Sequence, residues 1–186
     1  MNRPMLIAVL AAALAIGACG DDDDGGDGES VSADDYASAI CSSTQDWVDG
    51  LQGRATDLQG SLGSDVSPEQ GKDALAGFLD DVISDTDDWI AAVNDAGVPD
   101  VEGGEQAADD LLTAAEDAKV VLEDTRSRVD DLPTASDADF AREASEVGSA
   151  TQESLGTIGD AISEPESDEL RTALEESPAC TELAGQ

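Results

Sequence analysis

The segment Ser67–Pro99, SPEQGKDALAGFLDDVISDTDDWIAAVNDAGVP, predicts one long amphipathic helix with a defined beginning and end. Its first residue is a suitable N-cap, Pro68 suits the first helical position, and Gln70 follows at the third. Residues spaced alternately by four and three positions lie on one face of such a helix. They are Leu75, Leu79, Val82, Thr86, Trp89 and Val93, and the stripe is widened by Phe78, Ile83 and Ile90. Gly97 and the final proline end the helix.

The segments before and after this helix have the same periodicity, and neither shows the alternation typical of a strand. The first predicted helix begins at Ser32, where Asp35 stands three residues on, as in a capping box. Its predicted buried face consists of Tyr36, Ile40, Trp47, Leu51, Leu58 and Leu62. The third predicted helix begins near Gly104 and ends before Pro133. Its predicted buried face consists of Ala108, Leu111, Ala115, Ala118, Leu122, Thr125, Val129 and Leu132.

A fourth predicted helix begins at Ser136, again with an aspartate three residues later, and ends before Pro165. Its predicted buried face consists of Phe140, Ala144, Val147, Thr151, Leu155, Ile158 and Ile162. A short fifth helix, from about Glu166 to Glu176, carries Leu170, Ala173 and Leu174. Four helices of roughly 25–30 residues with short connections predict an all-α fold. The expected arrangement is an antiparallel up-down four-helix bundle with a short C-terminal fifth helix.

The charge of the chain restricts the classes of partner that it can bind. Its 186 residues include 44 acidic and 8 basic side chains and no histidine, for a formal net charge of −36 at pH 7. Because phosphate groups repel such a surface, the charge argues against nucleic acid as a partner, and against docking of the protein face on anionic lipid. The same charge favours cationic partners and loosely bound cations.

The N-terminal residues 1–18 have the layout of a secretory signal peptide. Arg3 provides a positive charge, and the apolar stretch Met5–Ile16 is too short for an ordinary membrane span. The sequence Ile16-Gly17-Ala18-Cys19 resembles the lipobox of bacterial lipoproteins, in which an aliphatic residue and two small residues precede a cysteine. The resemblance implies cleavage before Cys19 and a diacylglycerol on its sulfur. The alternative is an ordinary signal peptide in which the cysteine is incidental.

Residues 19–31 are predicted to form a flexible acidic tether between the lipid-modified cysteine and a helical domain over 32–186. The stretch DDDDGGDGES, Asp21–Ser30, has too few apolar residues to fold, and its carboxylates would hold the domain away from an anionic membrane. Its composition is like that of a calcium loop, but it lacks the ligand spacing of an EF-hand. We therefore expect an extracytoplasmic protein that is anchored to the cell membrane through lipid on Cys19.

The two remaining cysteines, Cys41 and Cys180, lie near opposite ends of the predicted domain. An even pair of cysteines in an exported protein favours a disulfide. An up-down chain of four helices finishes at the end where it began, so the predicted topology also favours this pairing. The alternatives are two unpaired thiols, or one thiol that reacts with a partner. Neither cysteine belongs to a CxxC motif, which gives redox chemistry and zinc binding little support.

The sequence offers little for catalysis, and we expect no enzyme, no cofactor and no metal site. Without histidine there is no Ser-His-Asp or Cys-His arrangement and no histidine metal site. Paired carboxylates could serve glycosidase chemistry, but with 44 acidic residues close pairs arise by chance. Most of these pairs, such as Asp80-Asp81 and Asp109-Asp110, fall on predicted outer helix faces.

Trp47 and Trp89 both fall on predicted buried faces. They can be interpreted as core residues or as the lining of a pocket, and each interpretation predicts a different function. As core residues, they belong to a non-enzymatic domain that binds or scaffolds a partner protein at the cell envelope. As the lining of a pocket between helices, they predict a solute-binding or sensing module. The apolar stripes could also serve a partner helix in an oligomer. We take the binding or scaffolding domain as the first hypothesis.

Overall fold

The computed structural model describes residues 30–63, 66–163 and 167–184, with the backbone alone for 152–163 and 184. The predicted signal peptide, the lipobox with Cys19 and residues 20–29 of the predicted tether lie outside the described residues.

Helices occupy most of the described chain, which confirms the prediction of an all-α protein. They are α1 (Ala33–Ser61), α2 (Pro68–Asp95), α3 (Gly104–Asp130), α4 (Asp137–Ser163), α5 (Asp168–Glu176) and α6 (Pro178–Ala184). Two short strands, β1 (Ser30–Val31) and β2 (Val98–Pro99), pair in parallel. The hydrophobic pattern predicts α1 to α5. It does not predict α6 or the strands, because these elements are too short to show a period.

Serine N-caps begin α1 and α2 as the sequence predicts. Ser32 Oγ accepts a hydrogen bond from the backbone N–H of Asp35 at 3.2 Å. At α2, Ser67 Oγ accepts from the backbone N–H of Gln70 at 3.3 Å, and Gln70 Oε1 accepts from the backbone N–H of Ser67 at 3.1 Å. These reciprocal bonds form a complete capping box, which satisfies donors that the first helical turn leaves free.

Each of the first three helices packs against the helix that follows it. Helix α1 packs against α2, α2 against α3, and α3 against α4, while α5 and α6 pack against α1. The buried side chains form two clusters. The first consists of Tyr36, Ile40, Trp47, Trp89, Val93, Ala96, Leu111, Ala115, Ala118 and Leu170. The second consists of Leu79, Val82, Leu122, Val129, Leu132 and Val147.

The predicted buried faces agree with the observed burial at most described positions, with one clear exception. Leu62 is 39% exposed, so its prediction as a buried residue is wrong. It is the C-cap residue of α1, where the backbone has left the helix and the side chain no longer continues the buried face. The predicted positions Leu155, Ile158 and Ile162 lie outside the described side chains.

The strand pair joins the start of the described chain to the connection between α2 and α3. Val31 O accepts a hydrogen bond from the backbone N–H of Asp100 at 2.8 Å, and the Val31 side chain packs against the first cluster. The last two residues of the predicted tether therefore contact the folded domain. The same connection approaches Gly104 closely, because a Cβ there would lie 2.0 Å from the carbonyl oxygen of Pro99.

A disulfide joins Cys41 of α1 to Cys180 of α6, the pairing that the sequence favours, with an S–S distance of 1.97 Å and a Cα–Cα distance of 4.9 Å. Cys41 is buried, and Cys180 is half-buried. The bond holds the C-terminal helix against the first turns of α1.

Candidate functional site: the groove between α1 and α2

The two tryptophans meet at the contact between α1 and α2. Their rings are stacked, with centroids 4.9 Å apart and an interplanar angle of 19°. Trp47 is 7% exposed and Trp89 is 2% exposed, so both belong mainly to the core. The structure thus brings together the two residues that the sequence suggests for a pocket, but it leaves only their edges accessible.

Each tryptophan donates a hydrogen bond to a threonine on the opposite helix. Trp47 Nε1 donates to Thr86 Oγ1 at 3.2 Å, and Trp89 Nε1 donates to Thr44 Oγ1 at 3.2 Å. All four residues are buried, and the Thr86 hydroxyl in turn donates to the carbonyl of Val82 at 2.8 Å. Both indole N–H groups are therefore satisfied within the protein, which is what a buried donor requires.

Sequence reasoning missed this reciprocal arrangement, although the chain carries a signal for it. Thr44-Gln45-Asp46-Trp47 in α1 and Thr86-Asp87-Asp88-Trp89 in α2 share the pattern Thr-x-Asp-Trp. Because the threonine and tryptophan lie three residues apart, they occupy adjacent positions on one helix face. Where α1 and α2 meet at this pattern, they can therefore exchange the same hydrogen bond in both directions.

A groove of about 520 Å³ runs beside the tryptophan pair, between α1 and α2. Gly50 and Gly53 of α1 line it without contributing side chains. Its charged lining residues are Asp46, Asp49, Asp57, Asp85, Asp88 and Arg54. The volume lies within the range of small-molecule sites. The lining is far more acidic than is usual for such sites.

Arg54 is the cation of this groove, and two aspartates of α2 hold it. Its Nη1 lies 2.8 Å from Asp81 Oδ2, and its Nη2 donates to Asp85 Oδ1 at 2.8 Å, while Nε also contacts Asp85. The hydrogen bond to Asp85 is the main cause that raises the pKa of Arg54 above its usual value. Arg54 and Asp85 largely neutralise each other. In the described part of the chain, Asp46, Asp49 and Asp88 form no ion pair with a lysine or arginine.

Tyr36 is a second unusual group, in the same buried cluster as the tryptophans. It is 3% exposed, and its hydroxyl has no hydrogen-bond partner among the described residues. Burial raises the pKa of Tyr36 to about 12. Its phenol is therefore neutral at physiological pH and is a feature of stability rather than of the groove, whose lining does not include it.

The described residues show neither a metal-binding cluster nor a membrane-spanning helix. Within them, no group of three or more cysteine, aspartate and glutamate side chains has an arrangement that could hold a metal ion. No helix of this part of the chain combines the length and apolar character that crossing a bilayer requires.

Comparison with known proteins gave no assignment: no protein-family model, no curated protein and no solved structure matches the chain. The function must therefore be argued from the residues themselves. The groove offers carboxylates, one neutralised guanidinium and the edges of two indoles, a set suited to electrostatic binding.

Proposed function

We propose that the protein is a lipid-anchored, extracytoplasmic lipoprotein whose helical domain has a non-enzymatic binding or scaffolding role at the cell envelope. The observation that carries this proposal is the Cys41–Cys180 disulfide in a domain that follows a lipobox-like sequence. Disulfides persist in oxidising compartments outside the cytosol. The lipobox-like residues and the disulfide are independent features, and both support export.

The finer architecture that we propose is an antiparallel up-down bundle of α1 to α4, with α5 and α6 docked on α1. The packing of each helix on its successor supports it, as do the short connections between them. In this arrangement the groove opens to the surface between α1 and α2, where a partner can approach without unfolding the core.

The anchor is tested by mass spectrometry of the intact protein purified from membranes. We expect cleavage before Cys19 and acyl mass on that residue. The Cys19→Ala variant should lose the acyl mass and leave the membrane fraction, whereas Cys41→Ala, the matched cysteine control, should keep both. Recovery of the full chain with Met1 in place and no lipid would contradict the proposal.

The binding role is tested by crosslinking in the native envelope. Under the scaffolding hypothesis, the wild-type protein should capture a recurrent partner through its acidic surface. The Cys19→Ala variant should capture less of it, because it is released from the membrane. Equal and random capture by both forms would argue against a specific partner.

A second candidate function is that of a solute-binding or sensing module that uses the groove between α1 and α2. The contact of Trp47 with Trp89 beside a groove of about 520 Å³ supports it. These are the chain's two tryptophans, so intrinsic fluorescence reports on this groove specifically. A change of emission with fractionated metabolite pools should reveal a ligand. A flat response across broad pools would remove this candidate.

A further inference from the structure

We infer that the groove between α1 and α2 takes linear organic dications, such as α,ω-diamines and polyamines. The inference rests on the second candidate function and names its class of ligand. It follows from the walls of the groove, from its floor and from the charge that remains after its internal ion pairs are formed.

The two walls present equivalent carboxylates. Asp46 of α1 and Asp88 of α2 each stand directly before a tryptophan of the stacked pair, and both line the groove. Both are exposed. Because the helices exchange the same hydrogen bonds in both directions, these carboxylates occupy corresponding positions on opposite walls. A ligand with a positive charge at each end can therefore meet one carboxylate on each side.

The floor between these carboxylates is not acidic. It contains the edges of Trp47 and Trp89, and Gly50 and Gly53 of α1 line the groove without contributing side chains. A Cβ added at Gly53 would meet nothing within 4 Å, so this position is open. A methylene chain that joins two ammonium groups can remove its apolar surface from water against the indole edges, which an inorganic cation cannot do.

The remaining charge of the groove is strongly negative. Arg54 is held by Asp81 and Asp85. The other acidic lining residues have no basic ion-pair partner among the described residues; they are Asp46, Asp49, Asp57 and Asp88. Carboxylates that lie together on a partly enclosed surface raise the local concentration of cations. The same field repels anions. The charge of the groove therefore favours cations, and its apolar floor favours those cations that carry a methylene chain.

The test titrates 1,6-diaminohexane into the full-length protein in detergent, at physiological ionic strength, by calorimetry and tryptophan fluorescence. We expect saturable binding that shifts the emission. Neutral 1,6-hexanediol should give no signal, and MgCl₂ should bind without the fluorescence shift. The Asp46→Asn/Asp88→Asn variant should bind the diamine at least tenfold more weakly. The matched control Asp109→Asn/Asp110→Asn, which removes two exposed charges from α3, should stay within twofold.

A second pair of variants tests the space rather than the charge. Gly53→Leu should fill the groove and weaken diamine binding at least tenfold. Gly60→Leu is the control in the same helix, because a Cβ at Gly60 would also meet nothing within 4 Å. It should change the affinity for the diamine by less than about twofold. Circular dichroism should show the same helicity for all variants.

Equal weakening by both Asn pairs, or equal binding of diamine and Mg²⁺ in every variant, would overturn the inference, because it would show diffuse counter-ion binding. If a neutral or anionic solute shifts the emission and Gly53→Leu abolishes that shift, the ligand class fails but the solute-binding function stands. If no solute of any charge shifts the emission, both fail.

Discussion

Trp47 and Trp89 each donate a hydrogen bond to the threonine that lies three residues before the other tryptophan. Trp89 donates to Thr44, and Trp47 donates to Thr86. This exchange fixes the register between α1 and α2 at one point along the helices. It also sets the position of the groove, because a shift of one residue would separate both hydrogen bonds at once.

Thr44→Val tests this register directly. The substitution keeps the shape of the side chain but leaves the buried N–H of Trp89 without an acceptor, which costs about 1–3 kcal/mol. We expect that decrease in the free energy of unfolding, measured by urea denaturation. Thr56→Val, an exposed control in the same helix, should change it by less than about 0.5 kcal/mol.

A double-mutant cycle separates the hydrogen bond from other effects of the threonine. In a Trp89→Phe background the indole N–H is already absent, so Thr44→Val should cost much less than in the wild-type protein. Equal costs in the two backgrounds would show that the threonine does not act through this hydrogen bond.

The disulfide should contribute a large part of the stability. Cys41 and Cys180 are separated by 139 residues in the sequence, and a cross-link over such a loop stabilises by about 4–5 kcal/mol in the chain-entropy model. We expect Cys41→Ala/Cys180→Ala to lower the free energy of unfolding by about this amount. Reductant should lower it similarly in the wild-type protein and have no effect on the variant. If reductant lowers the stability of the wild-type protein and of the variant by similar amounts, its effect does not come from the Cys41–Cys180 disulfide.

Alkaline pH should destabilise the protein through Tyr36. Burial raises its pKa to about 12, against about 10 in an unfolded chain, so the folded state holds the proton more tightly. The corresponding stability is fully present below about pH 10 and is lost as the pH rises through about 12, by about 2–3 kcal/mol. Denaturation curves between pH 9 and pH 12 should show this decrease.

Tyr36→Phe is the control for this pH dependence. It removes the titrating hydroxyl, so the variant should lose less stability than the wild-type protein over the same pH range. At pH 7 we expect it to be at least as stable as the wild-type protein, because the hydroxyl is buried without a partner among the described residues. A marked loss of stability at pH 7 would mean that the hydroxyl is hydrogen-bonded in solution.

Gly104→Ala should be strongly destabilising. Its Cβ would lie 2.0 Å from the carbonyl oxygen of Pro99, a backbone atom that cannot move without displacing β2. We expect a loss of about 2 kcal/mol or more in the free energy of unfolding. Gly60→Ala is the matched control, since its Cβ would meet nothing within 4 Å. It should leave stability unchanged or raise it by up to about 1 kcal/mol. A small effect at Gly104 would mean that β2 adapts easily.

The helical fold could be predicted from sequence because its signals are local. Ser67 and Gln70 mark the start of α2, and the period of three and four residues marks its buried face as far as Val93. The same period marks the buried faces of the other long helices, although α3 follows Gly103 and has no side-chain cap. The prediction that Leu62 is buried is wrong for a local reason too. The helix ends one residue before Leu62, and helical periodicity does not predict burial beyond the end of the helix.

The candidate site could be predicted only in part. Periodicity places Trp47 and Trp89 on buried faces, but it does not say which residues of a neighbouring helix they meet. That depends on the register between α1 and α2, which is a tertiary property. The groove is also invisible to periodicity, because it arises where Gly50 and Gly53 leave space beside packed residues.

The salt dependence of stability should follow the net charge rather than the ion pairs. Most of the 44 acidic residues have no basic partner, because the chain has only 8 basic ones. Screening therefore weakens more repulsions than attractions. We expect the free energy of unfolding to rise as sodium chloride increases from about 20 mM, where the Debye length exceeds 20 Å, to about 500 mM. The Asp109→Asn/Asp110→Asn variant should start from a higher stability and rise less. A decrease with salt would mean that attractions such as those of Arg54 with Asp81 and Asp85 outweigh the repulsion of the whole surface.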